Sequence, residues 1–315
     1  MRIVVLGTGA LGCVFAAKLS ARAEVWMLGT WAEGIEAVRR DGIRVHEPGG
    51  NTWVARVHAA TDPSAVPAAE FVVLLVKSYQ TARAAGWAAQ VLGDTDPAAG
   101  GGPGLAVTLQ NGLDNGPRLA AAVGEARTAV GVAYVGGVLM GPGEVLHTVQ
   151  IANYVGAGSA PRTEVDALIG LLNSAGLETH LTDDVETQLW AKAIANAAIN
   201  PLTALWRVPN GEPLATPDRR EILAAITLEA AAVARASGVR LPFADPVAHV
   251  ESICRATAAN RSSMLQDVER GRRTEIDSIN GVIVTEGRRL GVPVPVNEVV
   301  WKLVRGCLDR EQRAQ

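Results

Sequence analysis

An apolar run that ends in three glycines opens the chain and limits what its first thirty residues can form. The run is VVL, and Gly7, Gly9 and Gly12 follow it with the spacing G-x-G-x-x-G. After a β-strand, the first glycine permits a tight turn, the second lets backbone approach a pyrophosphate, and the third lets a helix pack close to the sheet. Because a strand precedes the motif and a helix is expected at residues 10–21, we predict a dinucleotide site rather than a ligand-free glycine turn. Its predicted contacts are Gly7, Thr8, Gly9, Ala10, Leu11 and Gly12.

Segments typical of strands alternate with helical segments through the first half of the chain. Runs that are apolar throughout and separated by helices are typical of a parallel sheet covered on both faces. We therefore predict an α/β fold with an N-terminal Rossmann-type doubly wound sheet. The glycine-rich segment 97–104 is expected to be a flexible surface connection. The predicted strands are 3–7, 24–28, 43–47, 54–60, 71–76 and 105–110, and the predicted helices are 10–21 and 33–40.

Helical periodicity replaces the strand pattern from about Asp183. A chain of 315 residues also favours two domains over one. We predict a dinucleotide-binding domain at 1–182 and an all-helical substrate and catalytic domain at 183–315. The expected helices of the second domain are 184–206, 218–237, 245–259 and 274–290.

Composition excludes several classes of partner. The net charge is −3 and no block of Lys or Arg stands out, which argues against nucleic acid and anionic membranes. The run FVVLLV is far shorter than the roughly 20 apolar residues that span a bilayer. The first strand begins almost at Met1 and leaves no room for a secretory signal, and three distant cysteines suit the reducing cytoplasm. The five histidines show no metal-ligand spacing, so no metal is expected.

Three polar side chains follow predicted strands of the sheet. Lys77 and Gln80 come after FVVLLV, and Asn111 comes after LAVTLQ. Because ligands of such sheets bind beyond the carboxyl ends of the strands, a lysine there can meet a phosphate or a substrate carboxylate. The asparagine amide can bond a nicotinamide carboxamide or a substrate oxygen. An exposed lysine without a role and an ordinary Asn-Gly turn remain the alternatives.

A polar stripe crosses an otherwise apolar helix in the second half. Lys192, Asn196 and Asn200 recur every four residues, so on a helix they occupy an arc of about 80° over about 12 Å. Buried lysine and asparagine are costly unless a polar partner satisfies them, and a polar ligand would do so. The alternative is the solvated face of an amphipathic helix.

Two further candidates lie near predicted helix starts. Ser263 with Gln266 matches a capping box, so Ser263 is expected as an N-cap, and the same geometry favours an anion. Glu275 opens the predicted helix 274–290, a position that the helix dipole alone would favour.

Six segments, spread over nearly the whole chain, resemble the ketopantoate reductase (2-dehydropantoate 2-reductase) family. They are GTGALG, LLVKSYQT, LQNGL, GPGEVLH, KAIANAAINPLTALWRVPNGE and SSMLQDVERGRRTEIDSING. The resemblance implies NADPH-dependent reduction of ketopantoate, a small 2-oxo acid, to pantoate in pantothenate and coenzyme A synthesis. A related reductase of another small branched 2-oxo acid and a non-catalytic dinucleotide-binding module are the alternatives. A homodimer is left open.

The resemblance also implies roles for individual residues. Lys192 matches the catalytic lysine, the general acid that protonates the C2 oxygen, and Glu275 matches the active-site glutamate near the cofactor ribose. Asn196, Asn200 and Asn210 match substrate-contacting asparagines, and Ser263 matches a serine that holds the substrate. Lys77, Gln80 and Asn111 match cofactor-side residues, with Asn111 also close to the substrate.

The residues after the second strand depart from the pattern of the family. NADPH-dependent members commonly carry an arginine there, whereas this chain has Gly29, Thr30 and Trp31. No acid is present to repel a 2′-phosphate, so NADP is favoured. Thr30 with backbone amides, or Arg39 or Arg40, could receive the phosphate, and NAD remains open.

Overall fold

The computed structural model describes residues 1–92 and 104–312, with side chains to residue 307. The chain divides into two compact units. The first comprises Met1–Gln110 and Asn115–Val185, and the second comprises Asn111–Asp114 and the chain from Glu186 onwards. Of the glycine-rich connection predicted at 97–104, residues 97–103 lie outside the described residues.

The first unit is built around an eight-stranded sheet. Its order is β12-β11-β8-β7-β6-β1-β2-β5, and the strands from β5 to β8 in this order are parallel, whereas β11 runs antiparallel to β8. The central strands are fully buried, as expected for a sheet covered on both faces. The strands that the structure describes in this unit, those of a smaller second sheet included, are β1 Arg2–Leu6, β2 Glu24–Leu28, β3 Ile43–His46, β4 Thr52–Ala55, β5 His58–Ala60, β6 Phe71–Leu74, β7 Leu105–Thr108, β8 Thr128–Val132, β9 Val135–Gly141, β10 Glu144–Gln150, β11 Asn153–Gly156 and β12 Thr179–Leu181.

Five α-helices connect these strands in the described part of the first unit. The predicted α/β class is confirmed, and the strand order β5-β2-β1-β6-β7-β8 is that of a doubly wound dinucleotide-binding sheet. The helices are α1 Ala10–Leu19, α2 Ala32–Asp41, α3 Thr81–Leu92, α4 Asn115–Val123 and α5 Arg162–Ser174.

A separate four-stranded sheet corrects one sequence prediction. The order is β4-β3-β10-β9, and β3 pairs antiparallel with β4. The predicted strand 54–60 is therefore wrong as one element, because its first half belongs to β4 and its second half to β5 in the main sheet. Val54 is 44% exposed, which fits a strand with one solvent-exposed face rather than a strand buried in a parallel sheet.

The second unit is helical throughout the described residues, as predicted. The predicted helix 184–206 is confirmed as α6, and the predicted helix 274–290 consists of a π-helical turn at Asp277–Gly281 followed by α10. The sequence analysis did not predict α11. The helices are α6 Val185–Trp206, α7 Pro217–Ala236, α8 Pro246–Ala256, α9 Ser263–Glu269, α10 Val282–Leu290 and α11 Pro295–Gln312.

Candidate active site

The glycine turn after β1 has the backbone that its sequence predicts. Gly7 adopts φ of 128° and its amide donates to the carbonyl of Leu28 at 2.9 Å. A Cβ atom at Gly7 would lie 2.9 Å from the main chain of Leu75, so both conformation and space require glycine here. The turn therefore fixes the start of α1 against two neighbouring strands of the sheet.

Gly9 and Gly12 differ in the space around them. A Cβ atom at Gly12 would lie 2.0 Å from the carbonyl oxygen of Gly7, whereas one at Gly9 would meet nothing within 4 Å. Gly9 is also the N-cap of α1 and has no side chain to cap the first turn, to which Ala10 and Leu11 belong. Open space in front of a helix N-terminus fits the pyrophosphate of a dinucleotide. The residues present thus fit the predicted cofactor.

Lys77 and Gln80 lie in the segment that follows β6. Both are half-buried, and Lys77 immediately precedes a short 3₁₀ turn at Ser78–Gln80. The sequence analysis missed Gln110, which is buried and donates from Nε2 to the carbonyl of Val76 at 2.8 Å. Gln110 also donates to the hydroxyl of Thr81 at 2.9 Å. This glutamine therefore holds the segment that carries Lys77.

The segment after β2 leaves one polar side chain exposed. Thr30 is exposed, whereas Gly29 is buried, and a Cβ atom at Gly29 would lie 2.7 Å from the methyl group of Thr8. The ring of Trp31 packs on the backbone of Gly34 in the first turn of α2. A side chain at position 29 would therefore require the side chain of Thr8 to move. The Nε atom of Arg39 donates to the carbonyl of Ala59 at 2.7 Å.

The polar stripe predicted in the second unit lies on a single helix. Lys192, Asn196 and Asn200 all belong to α6, where Lys192 and Asn196 are half-buried and Asn200 is buried. The apolar residues between them are packed in the core of the second unit. The stripe is therefore only partly exposed, which argues against a fully solvated face.

Lys192, Glu275 and Asn111 form a polar cluster in the second unit. Burial lowers the pKa of Lys192 to about 8, and the negative charge of Glu275 opposes that shift. Asn111 donates from Nδ2 to the carboxylate of Glu275 at 3.3 Å. Glu275 is 6% exposed and precedes the π-helical turn, where its carbonyl accepts from the amides of Ser278 and Ile279. An ammonium with this pKa can both hold and release a proton near neutral pH.

The predicted cap at Ser263 is wrong by one residue. Ser262 is the N-cap of α9 and accepts from the amide of Leu265 at 3.0 Å, while Ser263 is exposed at the first helical position. The hydroxyl of Ser262 also lies 2.7 Å from that of Thr203 on α6. This buried contact favours Ser262 over Ser263 as the N-cap, and it cannot be inferred from the sequence because Thr203 lies on another helix.

Asn210 lies in the segment after α6. Its amide group donates to the hydroxyl of Thr257 at 3.1 Å, and its main-chain N–H donates to the carbonyl of Asn260. Its Oδ1 atom is buried without a hydrogen-bond partner among the described residues. Because a buried acceptor without a partner is costly, this oxygen is suited to a donor group of a ligand.

The described chain forms neither a metal-binding cluster nor a membrane-spanning helix. No three His, Cys, Asp or Glu side chains among residues 1–92 and 104–312 come together as a metal site requires. None of the described helices combines the length and apolarity needed to cross a bilayer.

A doubly wound dinucleotide-binding unit followed by a helical unit with a lysine and glutamate pair defines an oxidoreductase. The chain belongs to the ketopantoate reductase PanE/ApbA family. The model of that family matches residues 3–160, and the model of its C-terminal region matches residues 184–308.

Individual relatives agree with this assignment. A 2-dehydropantoate 2-reductase of Halobacterium salinarum is 36% identical over 310 residues, covering 97% of this chain and 98% of the relative. The crystal structure of a PanE/ApbA family ketopantoate reductase from Ralstonia eutropha JMP134 has a TM-score of 0.89 at 32% identity, covering 99% of this chain and 100% of that one. A D-mandelate dehydrogenase in a ternary structure with NADH and anilino(oxo)acetate shares the fold, with a TM-score of 0.90 at 24% identity, covering 99% of this chain and 100% of that one.

Proposed function

We propose that this oxidoreductase is a 2-dehydropantoate 2-reductase that uses NADPH, and that it acts in the cytoplasm in pantothenate and coenzyme A synthesis. The observation that carries the proposal is the cluster of Lys192, Glu275 and Asn111, with the pKa of the ammonium at about 8. The names of full-length relatives that are 33–36% identical support the substrate.

Lys192 is proposed as the general acid. Reduction of a ketone produces an alkoxide, which needs a proton and a nearby positive charge, and an ammonium supplies both. With a pKa of about 8, about nine tenths of the Lys192 side chains are protonated at pH 7. Glu275 keeps the ammonium charged against its burial. Asn111 orients that carboxylate through the bond from Nδ2.

The first unit is proposed to hold the dinucleotide, which would supply the hydride for C2 when bound. The turn from Gly7 to Gly12 would receive the pyrophosphate, with Lys77 and Gln80 as further contacts. Asn111 is assigned to both the cofactor and the substrate.

The polar groups of the second unit are proposed to bind the substrate. Asn196 and Asn200 lie along α6, and Oδ1 of Asn210, which is buried without a partner among the described residues, is proposed to accept from a substrate hydroxyl group. Ser263 is exposed at the start of α9 and remains a proposed contact. A site built to bond a substrate hydroxyl rejects analogues that lack it by orders of magnitude.

The cofactor preference rests on the segment after β2. Neither Gly29 nor Thr30 carries a negative charge, so nothing at these two positions repels a 2′-phosphate. The exposed hydroxyl of Thr30 is proposed to face the phosphate. We therefore expect NADPH to be preferred over NADH.

One steady-state experiment tests the proposal. The purified protein is assayed for oxidation of NADPH and of NADH with 2-dehydropantoate, and with a panel of 2-oxo acids that lack the 4-hydroxyl group. The proposal predicts the highest kcat/KM with 2-dehydropantoate and NADPH. A higher kcat/KM with another branched 2-oxo acid would reassign the substrate. That outcome is included because D-mandelate dehydrogenase has the same fold. Absence of turnover with every acid of the panel would favour a non-catalytic module.

A further inference from the structure

Pro201 leaves one main-chain carbonyl of α6 without its usual donor. Each amide of an α-helix donates to the carbonyl four residues earlier, and proline has no N–H. Pro201 is inside α6 and buried, so the carbonyl of Ala197 loses its intrahelical bond. A buried carbonyl without a donor is costly, which raises the question of what replaces the missing group.

Asn280 supplies the missing donor from another segment. Its Nδ2 atom donates to the carbonyl of Ala197 at 3.0 Å. Asn280 is completely buried and belongs to the π-helical turn Asp277–Gly281. Helical turns of this kind are frequent at functional sites.

A chain of hydrogen bonds fixes which way the Asn280 amide points. Its Nδ2 also donates to Oδ1 of Asn297 at 3.1 Å, and Asn297 in turn donates to the carboxylate of Glu229 at 2.8 Å and to the carbonyl of Ile226 at 3.1 Å. Glu229 also accepts from the main-chain amides of Val296 and Asn297 at the start of α11. Because the carboxylate only accepts, each amide upstream has one allowed orientation. The NH₂ group of Asn280 must therefore face Ala197.

The carbonyl held by Asn280 lies within the polar stripe of α6. Ala197 directly follows Asn196 and precedes Asn200 by three residues. The carbonyl of Asn200 is also engaged, since it accepts from the hydroxyl of Thr203 at 2.9 Å. The carbonyls of Ala197 and Asn200 thus both accept side-chain hydrogen bonds, and Pro201 directly follows the stretch that carries Asn196 and Asn200.

We propose that Asn280 is a positioning residue for the reaction: its amide replaces the hydrogen bond lost to Pro201 and so holds Asn196 and Asn200 in their binding direction. The inference rests on the proposed function, because it assigns the substrate to these asparagines. Asn280 acts through the main chain of α6 and touches no reacting atom in this scheme.

The substitution Asn280→Leu removes both Nδ2 hydrogen bonds and keeps the branched shape of the side chain, with two methyl groups in place of the smaller amide atoms. The Oδ1 atom of Asn280 is buried without a hydrogen-bond partner among the described residues, so leucine removes no hydrogen bond made by that atom. Pro201→Ala restores an N–H that can bond the Ala197 carbonyl inside α6, and it serves as a matched suppressor. Wild type, the two single variants and the double variant form a double-mutant cycle. The cycle tests whether positions 280 and 201 both act on the carbonyl of Ala197.

The readouts are kcat and KM for 2-dehydropantoate per folded molecule, and the urea midpoint of unfolding. We expect Asn280→Leu to raise KM about tenfold, Pro201→Ala to stay within about twofold of wild type, and the double variant to recover most of the loss. The urea midpoint of the double variant should also exceed the value expected from adding the two single effects. If Asn280→Leu does not fold, Asn280→Ala, which leaves room for water, replaces it in the same cycle.

Two results would overturn the inference. One is a double variant as impaired as the single Asn280 variant, and the other is an activity loss that merely follows the unfolded fraction. If the wild type does not reduce 2-dehydropantoate, the proposed function fails, and the urea midpoints alone decide whether Asn280 and Pro201 are coupled. Additive midpoints would then refute the link.

Discussion

The substitution Glu275→Gln isolates the effect of one negative charge on the proton donor. Glutamine has nearly the same shape and keeps an oxygen that can accept from Asn111, so the bond now formed at 3.3 Å has a replacement. What disappears is the charge that opposes the effect of burial on Lys192. The pKa of Lys192 must therefore fall below its present value of about 8.

The size of the effect follows from the protonated fraction. An opposite charge within about 4–6 Å moves a pKa by about 1–3 units, so removal of the Glu275 charge is expected to bring the pKa of Lys192 from about 8 to roughly 6. The protonated fraction at pH 7 then falls from about nine tenths to about one tenth. Because the general acid must carry its proton, activity at pH 7 should drop about tenfold and recover as the pH is lowered towards about 5.

The assay is kcat/KM for 2-dehydropantoate with NADPH, measured across the range from about pH 5 to 10. Wild-type activity should decline as the pH rises through about 8, the pKa of Lys192, since deprotonation removes the donor. The variant should show the same decline at lower pH. Glu275→Asp keeps the charge on a shorter side chain and is the matched control, with a midpoint close to that of the wild type.

A variant whose alkaline midpoint stays at about 8 or rises would show that Glu275 does not act on Lys192 through its charge. A loss of activity that is the same at every pH would point to the geometry of the carboxylate instead. Either result would refute the electrostatic reasoning, whatever the size of the loss at pH 7.

Four other substitutions test three separate parts of the structure. Gly9→Ala should fold normally yet weaken dinucleotide binding at least tenfold in a titration, whereas Gly12→Ala should also lower the melting temperature, because its Cβ would lie 2.0 Å from a carbonyl oxygen. Lys192→Arg should reduce kcat by a factor of about 100 or more while the cofactor still binds, because arginine keeps the charge and does not release a proton near neutral pH; near-normal turnover would exclude Lys192 as the acid. Glu251→Gln should destabilise the protein by about 1–2 kcal/mol at pH 7, as the buried carboxylate binds the exposed guanidinium of Arg220. That guanidinium holds the pKa of Glu251 below its usual value of 4.5, so the difference between the two proteins should be full above that value and should vanish once the pH falls through the lowered pKa in pH-dependent unfolding.

The parts of the fold that follow from local sequence were predictable. The apolar runs of β1 and β6 and the periodicity of α6 each belong to one segment, and the structure confirms them. The second sheet was not predictable, because β3 pairs with both β4 and the distant β10, and no local pattern states such a partner.

Helix α11 escaped prediction for a different reason. Its residues Val299 and Leu303 are 55% and 52% exposed, so the apolar residues of this segment do not mark one buried face. Charged residues follow them towards the end of the helix. Periodicity therefore gave a weak signal there, although the helix is among the longest of the second unit.

The candidate site shows the same limit. The stripe on α6 was visible because its residues are spaced by four, but the proximity of Glu275 to Lys192 and Asn111 depends on tertiary packing. The choice of Ser262 over Ser263 as a cap also depends on a contact with another helix. Asn280 had one available signal, since a proline inside a predicted helix implies that some distant donor must serve the carbonyl four residues before it.

The short segment Asn111–Asp114 limits how this protein can be divided or recombined. It directly follows Gln110 of the first unit, yet it belongs to the second unit and contributes the side-chain amide of Asn111, which donates to Glu275. A fragment or chimera cut after Val185 would carry Glu275 and Lys192 into a new context but leave Asn111 behind. Exchange of the helical unit between relatives therefore requires grafting of two discontinuous pieces of gene, and a single crossover point separates a carboxylate from the residue that orients it.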